Sequence, residues 1–117
     1  MRVLVIGGGN MGLTYAEGMA KCSLLNRHKL MIYDKSAEII VSLSKIDHFQ
    51  VFDDIEECLP DADIIFLAVK PYNYLELFKE IKHLVKQDQI FVSIMAGVTI
   101  QSIQEGLGIK KVVRAMP

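Results

Sequence analysis

The chain has 117 residues, 51% of them apolar, and its 13 basic and 14 acidic side chains leave a net charge of −1. That length suits one domain with a single core, and the composition excludes a disordered chain. The charge balance gives no electrostatic footprint for nucleic acid. The longest apolar run, Ile64 to Val69, is about six residues where a membrane-spanning helix needs roughly 20. Neither nucleic acid nor a membrane is therefore expected as a partner. The apolar start at Val3 breaks into glycines too early for a signal peptide, so the expected location is cytoplasmic.

Val3-Leu4-Val5-Ile6 reads as a buried strand, and Gly7, Gly9 and Gly12 follow it in the spacing G-x-G-x-x-G. A helical segment runs from Asn10 to about Ser23. A strand, a glycine turn and a helix in that order form a dinucleotide fingerprint in its required context. Gly7 would allow the tight turn, Gly9 the approach of the pyrophosphate, and Gly12 close packing of helix on strand. The positive end of the helix then faces the phosphates. Glycine turns also follow first strands in nucleotide-free α/β domains. Here Gly12, Ala16 and Ala20 recur every four residues, a small-residue stripe that suits the sheet contact and favours the dinucleotide reading.

Asn26-Arg27-His28 makes a polar turn, and Lys29 to Tyr33 reads as the second strand, ended by Asp34. Asp34 stands 22 residues beyond Gly12, where such domains place the acid that bonds the ribose 2′-hydroxyl. Lys35 and Ser36 are candidates for a 2′-phosphate, which Asp34 would repel. The sequence leaves NADP and NAD both open, with a slight lean to NADP. Ser36 is also a fair N-cap for a helix that carries Ile39, Ile40 and Leu43 on one face. A short third strand lies near Gln50-Val51-Phe52, and Asp53-Asp54 open a brief helical piece, Ile55 to Leu59, closed by Pro60.

Asp63 to Val69 is apolar throughout, the mark of a strand covered on both faces. It stops at Lys70-Pro71. The next helix, about Asn73 to Lys86, places Tyr74, Leu77, Phe78, Ile81, Leu84 and Val85 toward the core. Ile90 to Met95 is a fifth strand, followed by Ala96-Gly97. Thr99 caps a short helix that Gly106 and Gly108 end, and Lys110 to Arg114 is the sixth strand. Six strands alternating with helices imply a single α/β domain, a Rossmann-like doubly wound parallel sheet of order 3-2-1-4-5-6.

Ligands of such sheets sit at the carboxyl ends of the strands where the order reverses. Those ends bring together Gly7 to Gly12, Asp34 to Ser36, Ala68 to Pro71, Ser93 to Gly97, and Met116-Pro117. Cys22 and Cys58 stand alone and His28, His48 and His83 are scattered, so no metal site is expected and the cysteines read as buried reduced thiols.

Ile6-Gly7-Gly8-Gly9-Asn10-Met11-Gly12, Ala68-Val69-Lys70-Pro71, Ser93 to Thr99 and Val113-Arg114-Ala115-Met116-Pro117, taken together, resemble pyrroline-5-carboxylate reductase. The resemblance implies reduction of a C=N bond to give proline, with hydride from NADPH or NADH. It would place Asn10 and Met11 along the pyrophosphate and nicotinamide, and Ala68, Val69, Lys70 and Pro71 along the adenosine and ribose. Ser93, Ala96 and Gly97, with Met116 and Pro117, would border the nicotinamide. In that family a helical C-terminal domain follows, which makes the dimer and supplies most of the substrate pocket. Residues 1–117 would then be the cofactor domain alone, with no catalytic residue of their own. The expected partners are the dinucleotide and either a separate helical domain or a second copy. A non-catalytic dinucleotide-binding module is the alternative, as is the first domain of a β-hydroxyacid dehydrogenase or an F420-dependent NADP oxidoreductase.

Overall fold

The computed structural model describes residues 2–20, 30–46 and 49–115, and of Asn10, Met11 and Ala20 only the backbone. Six parallel strands, β1 (Val3–Ile6), β2 (Leu30–Tyr33), β3 (Phe49–Phe52), β4 (Ile64–Leu67), β5 (Ile90–Ser93) and β6 (Val112–Arg114), form one sheet. Their order is β3-β2-β1-β4-β5-β6, the doubly wound arrangement expected from the sequence. Register is continuous across the centre: Val5 lies between Ile32 of β2 and Phe66 of β4.

The two faces of the sheet bury different residues. Val3 and Val5 of β1 join Leu30, Ile32, Ala16 and Leu43 on one side. Leu4 and Ile6 join Ile65, Leu67, Leu77, Phe78, Ile81, Ile103 and Leu107 on the other. Helices α1 (Asn10–Ala20) and α2 (Ala37–Ser44) therefore cover the first face. Helices α3 (Tyr74–Ile81) and α4 (Ile100–Leu107) cover the second. A strand buried on both faces can be apolar at every position, which is why β1 and β4 do not alternate.

Several boundaries differ from the sequence reading. Pro60 does not close a helix; it sits inside a second 3-10 turn, Leu59–Asp61, after a first at Ile55–Glu57. Proline lacks an N–H but suits the start of a turn, where that donor has no partner to lose. A 3-10 turn, Pro71–Asn73, precedes α3, which ends at Ile81 rather than near Lys86. Gly106 lies within α4 rather than ending it. A Cβ there would fall 2.6 Å from Phe78 Cδ2, so its glycine serves the α3–α4 contact. Gly108 is the cap, in the left-handed conformation at φ 69°. The first helix is described to Ala20; Cys22, the Asn26-Arg27-His28 turn and Lys29 lie outside the described residues, as do His48, Met116 and Pro117.

One polar group staples the loops beneath the sheet. Gln89 is 2% exposed, and its Nε2 donates to the carbonyls of Leu59 at 2.8 Å and Ala62 at 2.9 Å. Its Oε1 accepts the Lys86 N–H at 2.9 Å. All three partners are backbone groups that this amide pairs.

Candidate functional site

The glycine turn is built by contacts that side chains would break. Gly7 has φ 105°, a region that L side chains rarely adopt, and its N–H donates to the Tyr33 carbonyl at 2.8 Å. A Cβ on Gly12 would strike the Gly7 carbonyl oxygen, so α1 rests directly on the turn. Gly9 is the contrast. No protein atom lies within 4 Å of a Cβ built there, leaving the space over the loop open to an approaching group.

Asp34 ties β2 to this turn. Its Oδ2 accepts the Gly8 N–H at 2.7 Å and its Oδ1 the Ser36 N–H at 2.8 Å. A carboxylate offers about four lone-pair positions, so each oxygen can still accept a further donor. Ser36 caps α2, its Oγ accepting the Ile39 N–H at 3.4 Å. Lys35 turns to α3, where its Nζ meets Glu80 Oε1 at 2.6 Å. That hydrogen bond raises the Lys35 ammonium above its ordinary pKa. Burial pushes the Tyr33 phenol up, and the nearby Glu80 carboxylate adds to the shift.

A cleft of about 390 Å³ opens between the carboxyl ends of β1, β2 and β4. Of the residues singled out in the sequence, Gly7, Gly9, Asp34, Lys35, Ala68, Val69 and Lys70 line it. Pro71 starts the 3-10 turn at its edge. Ser93 is fully buried, its Oγ accepting the Met95 N–H at 3.2 Å, so it shapes the turn after β5 and does not line the cleft. Ala96 and Gly97 stand exposed on that turn, Gly97 at φ 75°. Gly12 and Ser36 lie behind the walls as packing and capping residues. Asn10 and Met11 contribute backbone to the first turn of α1, and Met116 lies outside the described residues.

Tyr33, Tyr72, Asn73, Glu76 and Leu77 also line the cleft and were not anticipated. Four of these come from the Pro71–Asn73 turn and the start of α3. Their signal was partly available. With Leu77 and Ile81 buried, Glu76 and Glu80 share a neighbouring face of α3, four residues apart. Among the described residues no group of three or more His, Cys, Asp or Glu could hold a metal, and no helix is long and apolar enough to cross a membrane.

Sheet order, glycine turn and switch-point cleft together define a Rossmann-like α/β domain. Residues 2–97 match the family described as NADP oxidoreductase, coenzyme F420-dependent, and the chain belongs to that family. It is 33% identical over 113 residues to pyrroline-5-carboxylate reductase of Escherichia coli K12, covering 96% of this chain and 42% of that one. It is 31% identical over 119 residues to the Staphylococcus haemolyticus enzyme of the same name, covering 100% and 44%. Among solved structures, the pyrroline-5-carboxylate reductase of Coxiella burnetii superposes with TM-score 0.84 at 26% identity, over 99% of this chain and 43% of that one. The Plasmodium falciparum pyrroline carboxylate reductase, solved with NADP bound, gives TM-score 0.82 at 26% identity, over 100% and 42%. Prephenate dehydrogenase of Aquifex aeolicus, at 21% identity and TM-score 0.81, shares the fold. The chain spans 40–44% of the length of the curated relatives named first among its matches.

Proposed function

We propose that this chain is the NAD(P)-binding part of a pyrroline-5-carboxylate reductase. The observation that carries the reading is the open cleft at the switch point, with space over Gly9 and a carboxylate, Asp34, at the end of β2. The residues present fit a dinucleotide. Gly9 admits close approach of a pyrophosphate to the backbone, and the first turn of α1 presents N–H groups to it. Asp34 keeps lone pairs for a ribose hydroxyl after accepting from Gly8 and Ser36. Ala68 and Val69 offer an apolar wall, with Lys70 and the 77% exposed Tyr72 at the rim. Pro71 fixes the direction of that rim. Asn10, Met11, Ala96, Gly97 and Met116 belong to the nicotinamide side on this reading, and Ser93 supports it from within.

Bound there, the nicotinamide would supply hydride to the C=N bond of pyrroline-5-carboxylate. The chain's own part is to bind and orient that cofactor. On this reading the substrate pocket is completed by a helical domain, as the resemblance to the reductase family implies. A cytoplasmic location and assembly through that domain are parts of the same reading.

Isothermal titration of the chain with NADH and NADPH tests it. Saturable binding of at least one nucleotide is expected; no heat from either at millimolar concentration would overturn it. A coupled assay with pyrroline-5-carboxylate separates the cofactor part of a reductase from a self-sufficient one. Negligible turnover by this chain, restored by adding a helical domain of a relative, is the expected outcome.

A further inference from the structure

The ribose corner of the cleft carries charges that the glycine fingerprint does not require. Lys35 is the group there suited to a phosphate, yet its Nζ is bonded to Glu80 on α3, 45 residues along the chain. Glu76, one turn earlier on α3, lines the cleft and acts on the Lys35 charge. Glu80 also lies close enough to Tyr33 to act on its phenol. Glu80 and Glu76 therefore both act on the Lys35 ammonium, while Asp34 lines the same cleft and Lys70 is the cleft's other cation among the described residues.

We propose that Glu80, with Glu76 beside it, is a specificity-determining residue that sets this cleft for NAD and against NADP by keeping Lys35 as its own counter-ion. The proposal rests on the dinucleotide reading above. A ribose 2′-hydroxyl is neutral and can donate to Asp34. A 2′-phosphate brings between one and two negative charges to the same corner. It must face Asp34 and Glu76, and the Lys35 ammonium it would share with Glu80 is a charge that Glu80 already offsets. The Lys35–Glu80 pair is itself half exposed, with side chains 55% and 42% accessible. A pair so exposed is weak alone. The discrimination comes from the summed charge, and near a protein surface such repulsion amounts to about tenfold in affinity. The sequence leaves NADP and NAD both open with a slight lean to NADP; it does not show that α3 delivers Glu80 to Lys35.

The test is calorimetric titration of the full chain with NADH and NADPH at low and high salt, on the native protein and on Glu80→Gln and Glu80→Gln/Lys35→Gln variants. Native protein should bind NADH about tenfold more tightly than NADPH, with a ratio that shrinks as salt screens the charges. Glu80→Gln should tighten NADPH about fivefold and leave NADH within about twofold, and the added Lys35→Gln change should abolish that gain. Circular dichroism melting confirms that each variant is folded. NADPH binding as tightly as NADH, or a ratio unmoved by Glu80→Gln in a folded variant, would overturn the inference while leaving the dinucleotide reading intact. Binding of neither nucleotide would overturn both.

Discussion

At Gly12 one added methyl group would land on the Gly7 carbonyl oxygen, a backbone atom that cannot move without dismantling the turn. Gly12→Ala is therefore expected to destabilise the chain by about 2 kcal/mol or more, read as a shift in urea midpoint, and to abolish NADH binding. Gly18, with open space where its Cβ would be, is the control: Gly18→Ala should leave nucleotide binding unchanged. Asp34 has a double role. Asp34→Asn keeps the shape but loses one acceptor oxygen, whether toward Gly8 or toward Ser36. A loss of about 1.5 kcal/mol in stability, measured by denaturation, should accompany weaker NADH binding. Retention of full stability would show that the N–H groups of Gly8 and Ser36 find other partners.

Cys58 is fully buried, and burial pushes its thiol from 9.0 up to about 12. Two consequences follow. Iodoacetamide at pH 8 should leave the Cys58 peptide unmodified in the folded protein and modify it fully in denaturant, as read by peptide mass mapping. Between about pH 9 and 12 the unfolded chain loses this proton while the folded chain keeps it. Stability should therefore fall as pH rises through that window, and Cys58→Ala should flatten the decline in urea midpoint.

Among the elements, the loops that close the lower end of the sheet are held by Gln89 as well as by the buried Ile55, Cys58 and Leu59. Gln89→Leu would leave the Leu59 and Ala62 carbonyls and the Lys86 N–H without their present partner. The expected cost is about 2–3 kcal/mol by chemical denaturation. The elements themselves were largely legible in the sequence. Uninterrupted apolar runs at Val3–Ile6 and Ile64–Leu67 announced strands buried on both faces, and turn residues separated them from amphipathic helices. The ends were less legible. The 3-10 turn at Pro71–Asn73 depends on how the chain leaves β4, and α3 stops at Ile81 where the Leu84 N–H turns back to the Ile81 carbonyl; periodicity encodes neither. Gly106 looked like a stop signal because its packing partner, Phe78, lies on another helix.

For the molecule as a whole, strand order follows from alternation and crossover rules, so the switch point between β1 and β4 could be located before any coordinate was known. The half of the cleft formed by Gly7, Gly9, Asp34 and Ala68 to Lys70 was legible for that reason. The wall from Tyr72 to Leu77 was not, because helix orientation decides which of its residues face the opening. The family match covers residues 2–97, and the chain spans 42–44% of the length of the Escherichia coli and Staphylococcus haemolyticus relatives. The central claim is that the switch-point cleft holds a nicotinamide dinucleotide. Backbone amide shift mapping by NMR during an NADH titration tests it most directly. Saturable perturbations are predicted at Gly7 to Gly9, Asp34 to Ser36 and Ala68 to Lys70, with the α4 face unmoved. Absence of perturbation at millimolar NADH, or changes confined to residues away from these strand ends, would contradict it.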